Sequence, residues 1–304
     1  MRKTKQNKGL RTVAAGILCS VLLLAWFPLS AAAVEYTPLA TLKKGLRYPV
    51  DTAVSDSGKI YVLDGITKKI LIYNGNYYLT GSISSVDNPT AVAASGDTLL
   101  VADNTTKQVL VLSSSGAPLG SLQKDGAAAT FILPRNIAVA ANGEVFVVDQ
   151  NNNTVEVFGA DNNHSYTISG LSKPQDAVVV GTELFIVDQP HQEMTGTDSL
   201  GGTHSDSVRL SRIQIFDLVT KAIVTDAARA FPPYGTDTTA GEHVSLKGIA
   251  ADPHDFIYAS DSYLNVVYKY DTNGQFLGAL AEPFTTPQGA SVSADGRLAV
   301  TSSY

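Results

Sequence analysis

The sequence predicts an all-β fold, a six-bladed β-propeller with four-stranded antiparallel blades. Three observations carry this. The stretch from Pro134 to Phe158, PRNIAVAANGEVFVVDQNNNTVEVF, holds three short β-branched runs joined at Asn142-Gly143 and at Gln150–Thr154, the signature of an antiparallel meander. The same pattern recurs along the chain. Its period is near 40 residues with four candidate strands per unit, the size of a propeller blade.

Each unit starts at a proline, and its second strand ends on an aspartate. Pro49 leads to Asp64 through TAV and IYVLD, and Pro89 to Asp103 through TAVAA and LLVAD. Pro134 leads to Asp149, and Pro174 to Asp188 through DAVVV and LFIVD. In the fifth unit Leu246 takes the proline's place and Asp261 ends FIYASD. The sixth starts at Pro287, with Ser302 where an aspartate is expected; the interval is 14 or 15 residues in every unit. Third strands follow as ILIYN, VLVLS, VEVFG, IQIFD and VVYKYD, and weaker fourth strands as YYLTGSI, PLGSL, HSYTI, KAIVTDA and FLGAL. First strands are runs of small and β-branched residues, as convergence on an axis requires. A (β/α)8 barrel would need a helix after each strand, and no amphipathic stretch of that length occurs. A single β-sandwich would not repeat so regularly. Only two strands of the sixth unit precede Tyr304. The segment PLATL at 38–42 is expected to supply its outermost strand, which avoids a free edge. Its third strand comes either from VEYT at 34–37 or from beyond the given end.

The chain is 16% charged and 44% hydrophobic, ordinary for a globular protein with a substantial core. The first 33 residues carry five basic side chains and no acid, leaving 17 basic against 28 acidic residues in the remainder. An acidic body of this kind argues against nucleic acid and anionic lipid as partners. The leader itself has three parts: basic residues 1–11, an apolar stretch 12–33 centred on VLLLAWF, and Pro28 with the small residues 31–33 before an expected cleavage at Val34. That is the layout of a secretory signal peptide; the alternative is an uncleaved anchor, since the apolar stretch approaches spanning length. The expected organisation is therefore a signal peptide over 1–33 and one propeller over 34–304, secreted or periplasmic, or held at the cell surface. The sole cysteine, Cys19, lies in the leader, so the mature chain has no disulfide. Leu18 stands before it, where a lipobox needs a small residue.

The motifs P-x-x-[IA]-A-V, G-x-[VI]-[FY]-V-x-D and [IV]-x-[VI]-[FY], repeated from about Tyr48 to Tyr304, resemble the NHL-repeat propellers. Blade 5 departs from the pattern in lacking the proline, and blade 6 in lacking the aspartate. The resemblance implies a six-bladed propeller and, for most of that family, a binding scaffold. One enzymatic branch, the peptidyl-hydroxyglycine amidating lyases, holds zinc with histidines near the axis. Six-bladed propellers outside the family include calcium-dependent lactonases.

The repeated Asp64, Asp103, Asp149, Asp188 and Asp261 read as structural. Each begins a polar connection in which its carboxylate can accept backbone N–H groups, and a catalytic residue is needed once rather than in every blade. His164 and His254 read as surface residues. Three insertions, Lys124–Leu133, Gln189–Arg212 and Ala228–Ser245, are expected to emerge on one face, shared by the second-to-third and fourth-to-first connections; extra loops on a rigid scaffold are where binding is usually built. The two long ones hold the candidate ligand-binding residues His191, Glu193, His204, Phe231, Tyr234 and His243, together with Asp206. Nitrogen and oxygen ligands of this kind can hold zinc, but no HExxH or comparable spacing is present. No cofactor is expected, with zinc or calcium as the alternative. Phe231 and Tyr234 flank Pro232-Pro233 and are expected to serve as aromatic interface anchors. No G-x-S-x-G elbow, Walker loop or dinucleotide fingerprint occurs. The expected function is an exported, noncatalytic scaffold that recognises a protein, peptide or glycan on the face of the blade 4 loops. The alternatives are a metal-dependent enzyme, lyase-like or lactonase-like, and a structural module of a larger surface protein. If the loops are not the site, the axial channel is the next place to look.

Overall fold

The computed structural model describes residues 20–26, 36–197, 203–209, 211–226, 229, 231, 245–280 and 283–302. Over these residues the chain is all β, with no α-helix. It begins with β1 (Ser20–Trp26) and β2 (Tyr36–Leu42). Blade 1 then runs as β3 (Pro49–Val54), β4 (Ile60–Asp64), β5 (Lys69–Tyr73) and β6 (Leu79–Ile83). Blade 2 is β7 (Pro89–Ser95), β8 (Thr98–Asp103), β9 (Gln108–Ser113) and β10 (Pro118–Ser121), followed by a small hairpin, β11 (Gln123–Lys124) and β12 (Ala127–Ala128). Blade 3 is β13 (Pro134–Val139), β14 (Val145–Asp149), β15 (Thr154–Phe158) and β16 (His164–Ile168). Blade 4 opens with β17 (Asp176–Val180) and β18 (Glu183–Asp188), is interrupted by β19 (His191–Thr197) and β20 (Thr203–Arg209), and ends with β21 (Arg212–Asp217) and β22 (Ala222–Ile223). Blade 5 is β23 (Leu246–Ala251), β24 (Ile257–Asp261), β25 (Val266–Tyr270) and β26 (Phe276–Ala279), and the chain closes with β27 (Pro287–Val292) and β28 (Leu298–Ser302).

These strands form four-stranded antiparallel blades arranged as a β-propeller. Five blades are each built from one run of chain, four of them as plain meanders. In blade 4, β18 pairs directly with β21, and β19–β20 stands apart as a two-stranded sheet. The sixth first strand, expected from Pro287, belongs to a composite four-stranded sheet in the order β2-β1-β28-β27. PLATL is its outer strand, as expected. The third strand is β1, from the apolar run of the leader, rather than VEYT or a segment beyond Tyr304. Cleavage before Val34 would remove β1, so a cleaved leader and this strand cannot coexist in one mature molecule.

The inner strands pack in a ring: β3 on β7, β7 on β13, β13 on β17, β17 on β23, β23 on β27, and β27 back on β3. Second strands are buried along their length, for example VFVVD at Val145–Asp149. That explains their continuous apolar runs, since each is covered by a neighbouring blade on both faces. Outer strands such as HSYTI alternate between half-buried and exposed positions, as an edge does. The core lies between blades; Ala91, Leu100 and Val111 of blade 2, for instance, pack with Ile137, Val147 and Phe158 of blade 3.

The blade-end aspartates do more than make a turn. All five are buried. Asp149 accepts the backbone N–H of Ile132 and of Leu133, just before Pro134 (2.8 and 2.7 Å). Asp64 does the same with Tyr48 (2.7 Å) and also takes Thr67 of its own turn (2.8 Å). Ser302 replaces the aspartate by accepting the Thr285 N–H (2.9 Å). Each residue thus ties the exit of a second strand to the entry of the first strand of the same blade. Hydrogen bonds to a charged acceptor contribute about 1.5–3 kcal/mol each, which accounts for a buried carboxylate in every continuous blade. Asp188 differs, since Arg212 and Gln214 share one of its oxygens (2.9 Å each).

The insert before blade 3 departs from expectation. Its end joins the expected face, where Phe131 N–H donates to the Lys107 carbonyl (2.8 Å), but its start lies beside the third-to-fourth turn of blade 3, where Gln123 N–H donates to the Asn162 carbonyl (2.8 Å). Lys124 pairs with the buried Glu156 (3.2 Å), which also holds His164 (2.8 Å). Phe131 then returns to the core against Phe158. His164 is accordingly half-buried and partnered rather than an ordinary surface residue.

Candidate axial site

The site is set by the third residue of each unit, counted from its opening proline or leucine. In blades 1, 2, 3 and 5 and in the β27–β28 pair the ladder slips just after the opening residue, as between Pro49 and Asp51. A bulge of this kind bends the strand and re-aims a side chain. Where the contacts of this position are resolved, they lie across the seam to the next blade. Asp51 accepts Thr52 N–H on one oxygen and Val92 N–H of blade 2 on the other (2.8 Å each). Asp176 repeats this in blade 4, with Ala177 (2.6 Å) and Ile249 of blade 5 (2.8 Å). The two clasps are three blades apart around the ring. In blade 5 and in β27 the position is Gly248 and Gly289, and hydroxyls of the following strand take over. Ser260 Oγ accepts Gly248 N–H (3.0 Å) and donates to the Gln288 carbonyl of the next blade (2.6 Å).

Burial pushes the Asp51 carboxyl up to about 7, against the lowering effect of the Val92 and Thr52 N–H groups and of Arg135. Asp176 is raised well above the ordinary carboxylate range, first by burial and then by the charge of Asp51, which it senses at the axis. The two resemble a carboxylate pair of the kind that does acid–base work, but each oxygen already takes a backbone N–H, so the geometry is that of a seam clasp.

Small residues line the axial cavity, of about 170 Å³, including Ala53, Ala93, Ala138, Ala177 and Ala250. A throat lined by Asp51, Asn136 and Asp176 with Arg135, Gln175 and Lys247 closes one end. On the same side, beside Arg135, Gln175 and Lys247, lies a pocket of about 370 Å³ completed by Gln150, Lys173 and Gln189. Gln150 and Gln189 each follow a blade-end aspartate, and Lys173 precedes Pro174. The pocket therefore opens on the face expected from the loop positions. Gln175 and Gln189 are buried and fixed. Gln189 Nε2 donates to Ser211 Oγ (2.9 Å) and to the Leu246 carbonyl (3.0 Å), and Gln175 Nε2 donates to the Lys173 carbonyl (2.8 Å).

The candidate residues read from the loops fare differently. His191 opens β19, two residues after Gln189, so the β19–β20 hairpin springs from the pocket's edge. Register pairs His191 with Arg209, Glu193 with Ser207, and His204 with Gly196. His191 and His204 thus lie five ladder steps apart, about 17 Å at strand rise, too far to share one ion. Phe231 is not offered to a partner. It is buried between blades 4 and 5, edge-on to Phe185 (5.7 Å) and Tyr270 (5.3 Å), because a large ring gains more by filling the seam than by facing water. Tyr234 and His243 lie outside the described residues. Among the described residues no three His, Cys, Asp or Glu side chains gather as a metal site. Sequence reasoning missed Asp51, Asp176, Arg135 and Lys247. The signal was available: aligned on the opening residue, the first strands carry Arg135, Gln175, Lys247 and Gln288 in one column and two aspartates in the next.

No family model matches the chain, and no curated protein matches it. Among solved structures it is similar to the hydrazine synthase of Kuenenia stuttgartiensis. The TM-score is 0.55 at 11% identity, over 89% of this chain and 94% of that one. A likeness at that identity shows the fold alone.

Proposed function

We propose that the protein is a six-bladed propeller of NHL type that acts as an exported, noncatalytic scaffold, recognising a protein, peptide or glycan on the face of the blade 4 hairpin. The observation that carries this reading is the conjunction of the Arg135–Lys173–Lys247 pocket with the hairpin that starts at its rim. A rigid ring presents the pocket. The ribbon beside it pairs with no third strand among the described residues. Unpaired ribbon edges can take up an extended chain by strand addition. Enzymatic chemistry has less support, since the axial carboxyls are engaged by backbone and His191 and His204 stand five ladder steps apart.

The test removes the hairpin and leaves the blade. Because β18 pairs with β21 without help from β19–β20, replacing Gln192–Val208 by a two-residue turn is expected to keep the wild-type melting temperature within a few degrees. The same variant is expected to lose at least tenfold affinity for ligands selected on peptide and glycan arrays, about 1.4 kcal/mol. A shortened protein that binds its array ligand at full strength would place recognition elsewhere.

Export rests on the leader. N-terminal sequencing of protein recovered from the culture medium or periplasm is expected to start at Val34 or within two residues of it. A mature chain starting at Met1 would discard cleavage and put β1 in the ring.

A further inference from the structure

Asparagine precedes glycine at Asn74-Gly75, Asn142-Gly143 and Asn273-Gly274. At such a step the glycine nitrogen can attack the asparagine side-chain amide, since no Cβ hinders the approach. Local sequence does not separate the three steps, but their surroundings do. Gly143 N–H donates to the Ala140 carbonyl (2.9 Å) and Gly274 N–H to the Asp271 carbonyl (3.1 Å), so both nitrogens are tied into their turns. The Asn142 amide is held as well, with Nδ2 donating to Glu144 Oε2 (2.8 Å). Gly75 is exposed, and its N–H has no acceptor among the described residues. Asn74 Oδ1 accepts the N–H groups of Asn76 and Tyr78 (3.0 Å each), whereas Asn142 Oδ1 accepts only that of Glu144 (3.0 Å). Donors aimed at that oxygen stabilise the negative charge it gains when its carbon is attacked. Asn74 thus combines an untied nucleophile, a polarised carbonyl and an unrestrained leaving group.

We propose that Asn74 is a site of spontaneous deamidation in the folded protein. Gly75 N bonds to Asn74 Cγ and gives up its proton, the Cγ–Nδ2 bond breaks, and ammonia leaves, which closes a succinimide. Water then breaks either of the two C–N bonds to the glycine nitrogen, yielding aspartate at 74 or isoaspartate. The net reaction consumes one water and releases one ammonia, with no change of oxidation state. Blade 5 shows that the first product fits. Asp271 occupies the equivalent place in its third-to-fourth turn, where Oδ1 accepts the N–H groups of Asn273 (2.9 Å) and Gln275 (2.8 Å). Its own N–H donates to the Gln275 carbonyl (3.1 Å), as that of Asn74 does to the Tyr78 carbonyl (3.0 Å). The isoaspartate product adds a backbone atom to a turn closed by Tyr77 N–H on the Asn74 carbonyl (2.8 Å). That turn also holds Tyr77 OH, which accepts Arg297 Nη1 (3.3 Å) from the entry to β28, so this product loosens the contact between blade 1 and the last hairpin. Gly75 lies beside the first-to-second turn at Gly58, on the face away from the pocket, and the modification is independent of the proposed function.

The test ages the purified full chain at mildly alkaline pH and follows each asparagine by peptide mapping, with mass spectrometry for the amide-to-acid change and enzymatic methylation for isoaspartate. Conversion at Asn74 is expected to run about tenfold faster than at Asn142 or Asn273, less than the factor one preorganised oxyanion donor supplies in an enzyme. In concentrated urea, where the turns are gone, the three steps are expected to react at similar rates. Gly75→Ala adds a Cβ whose nearest neighbour, the Gly58 carbonyl oxygen, would stand 3.6 Å away. It is expected to melt as wild type and to remove the lead of Asn74. Asn74→Asp, the first product made directly, is expected to melt within a few degrees of wild type. Conversion of Asn142 or Asn273 as fast as Asn74 in the folded chain overturns the proposal. So does an equal lead for Asn74 in urea, which would trace the effect to local sequence and not to the turn.

Discussion

Replacing Gly248 with alanine is expected to lower stability by about 3 kcal/mol, the upper end of what overpacking costs, and the melting temperature by roughly 10 °C. The reason is space and not backbone angle. A Cβ built on Gly248 would stand 2.2 Å from the Gln288 carbonyl oxygen, 2.7 Å from Ser260 Oγ and 3.0 Å from Ala290 N. Two of those atoms are backbone of β27, so relief requires moving one inner strand from another. The Ser260 bridge across the seam would be strained in the same step. Gly81→Ala is the control. It sits on an outer strand, with Ile72 Cδ1 the nearest atom at 3.9 Å, and is expected to be neutral or to gain about 0.5 kcal/mol from reduced backbone freedom in the unfolded chain. Thermal and urea unfolding of the two variants decide the matter. Equal stability of Gly248→Ala and wild type would mean that this seam is not as close as described.

The seam was hidden from sequence reading, whereas the blades were not. Runs such as IYVLD and VFVVD announce buried central strands because every position is covered, and the Pro-to-Asp interval marks their length. That logic also located PLATL as an outer strand. It failed for β1, since a run such as SVLLLAW reads equally as a leader core and as a buried strand, and periodicity does not separate them. The insert before blade 3 meets the expected face only at its end, because loop length says where a connection starts and nothing of where it lies down; the Gln123–Asn162 and Lys124–Glu156 contacts are long-range. Phe231 was misread for a related reason. An aromatic beside Pro-Pro looks exposed until Phe185 and Tyr270, from other strands, close over it. The axial residues depend on a bulge that turns the third residue of a unit, counted from its opening proline or leucine, towards its neighbour. No local pattern shows that turn, although the column of Asp51, Ala91, Asn136, Asp176, Gly248 and Gly289 carries its consequence: bridging side chains at some seams and bare backbone at others.

Those bridging carboxyls should also give the protein an inverted pH profile. In the unfolded chain Asp51 loses its proton near its ordinary value of 3.8, whereas in the folded chain burial keeps it protonated up to about pH 7. Between those limits the folded state binds more protons than the unfolded state, so stability falls as pH rises. The contribution is complete below 3.8 and gone above about 7. It corresponds to about 4 kcal/mol at 1.36 kcal/mol per pH unit. Asp176, raised by burial and by Asp51, acts in the same direction. The opposite dependence belongs to Asp64 and Glu156. Burial would raise both, but their hydrogen bonds outweigh it and hold them below their ordinary values, so their contribution is lost only as pH falls through the acid range. Stability should therefore peak near pH 4–5 and decline towards pH 8, unlike the near-neutral optimum common in proteins. Urea midpoints at constant ionic strength from pH 4.5 to 8.5 measure this. In Asp51→Asn the amide can accept only one of the two backbone N–H groups, which lowers stability throughout; the informative quantity is the slope, which should become shallower than in wild type. A wild-type profile that is flat or rises between pH 5 and 8 would sink the assignment, as would an unchanged slope in Asp51→Asn.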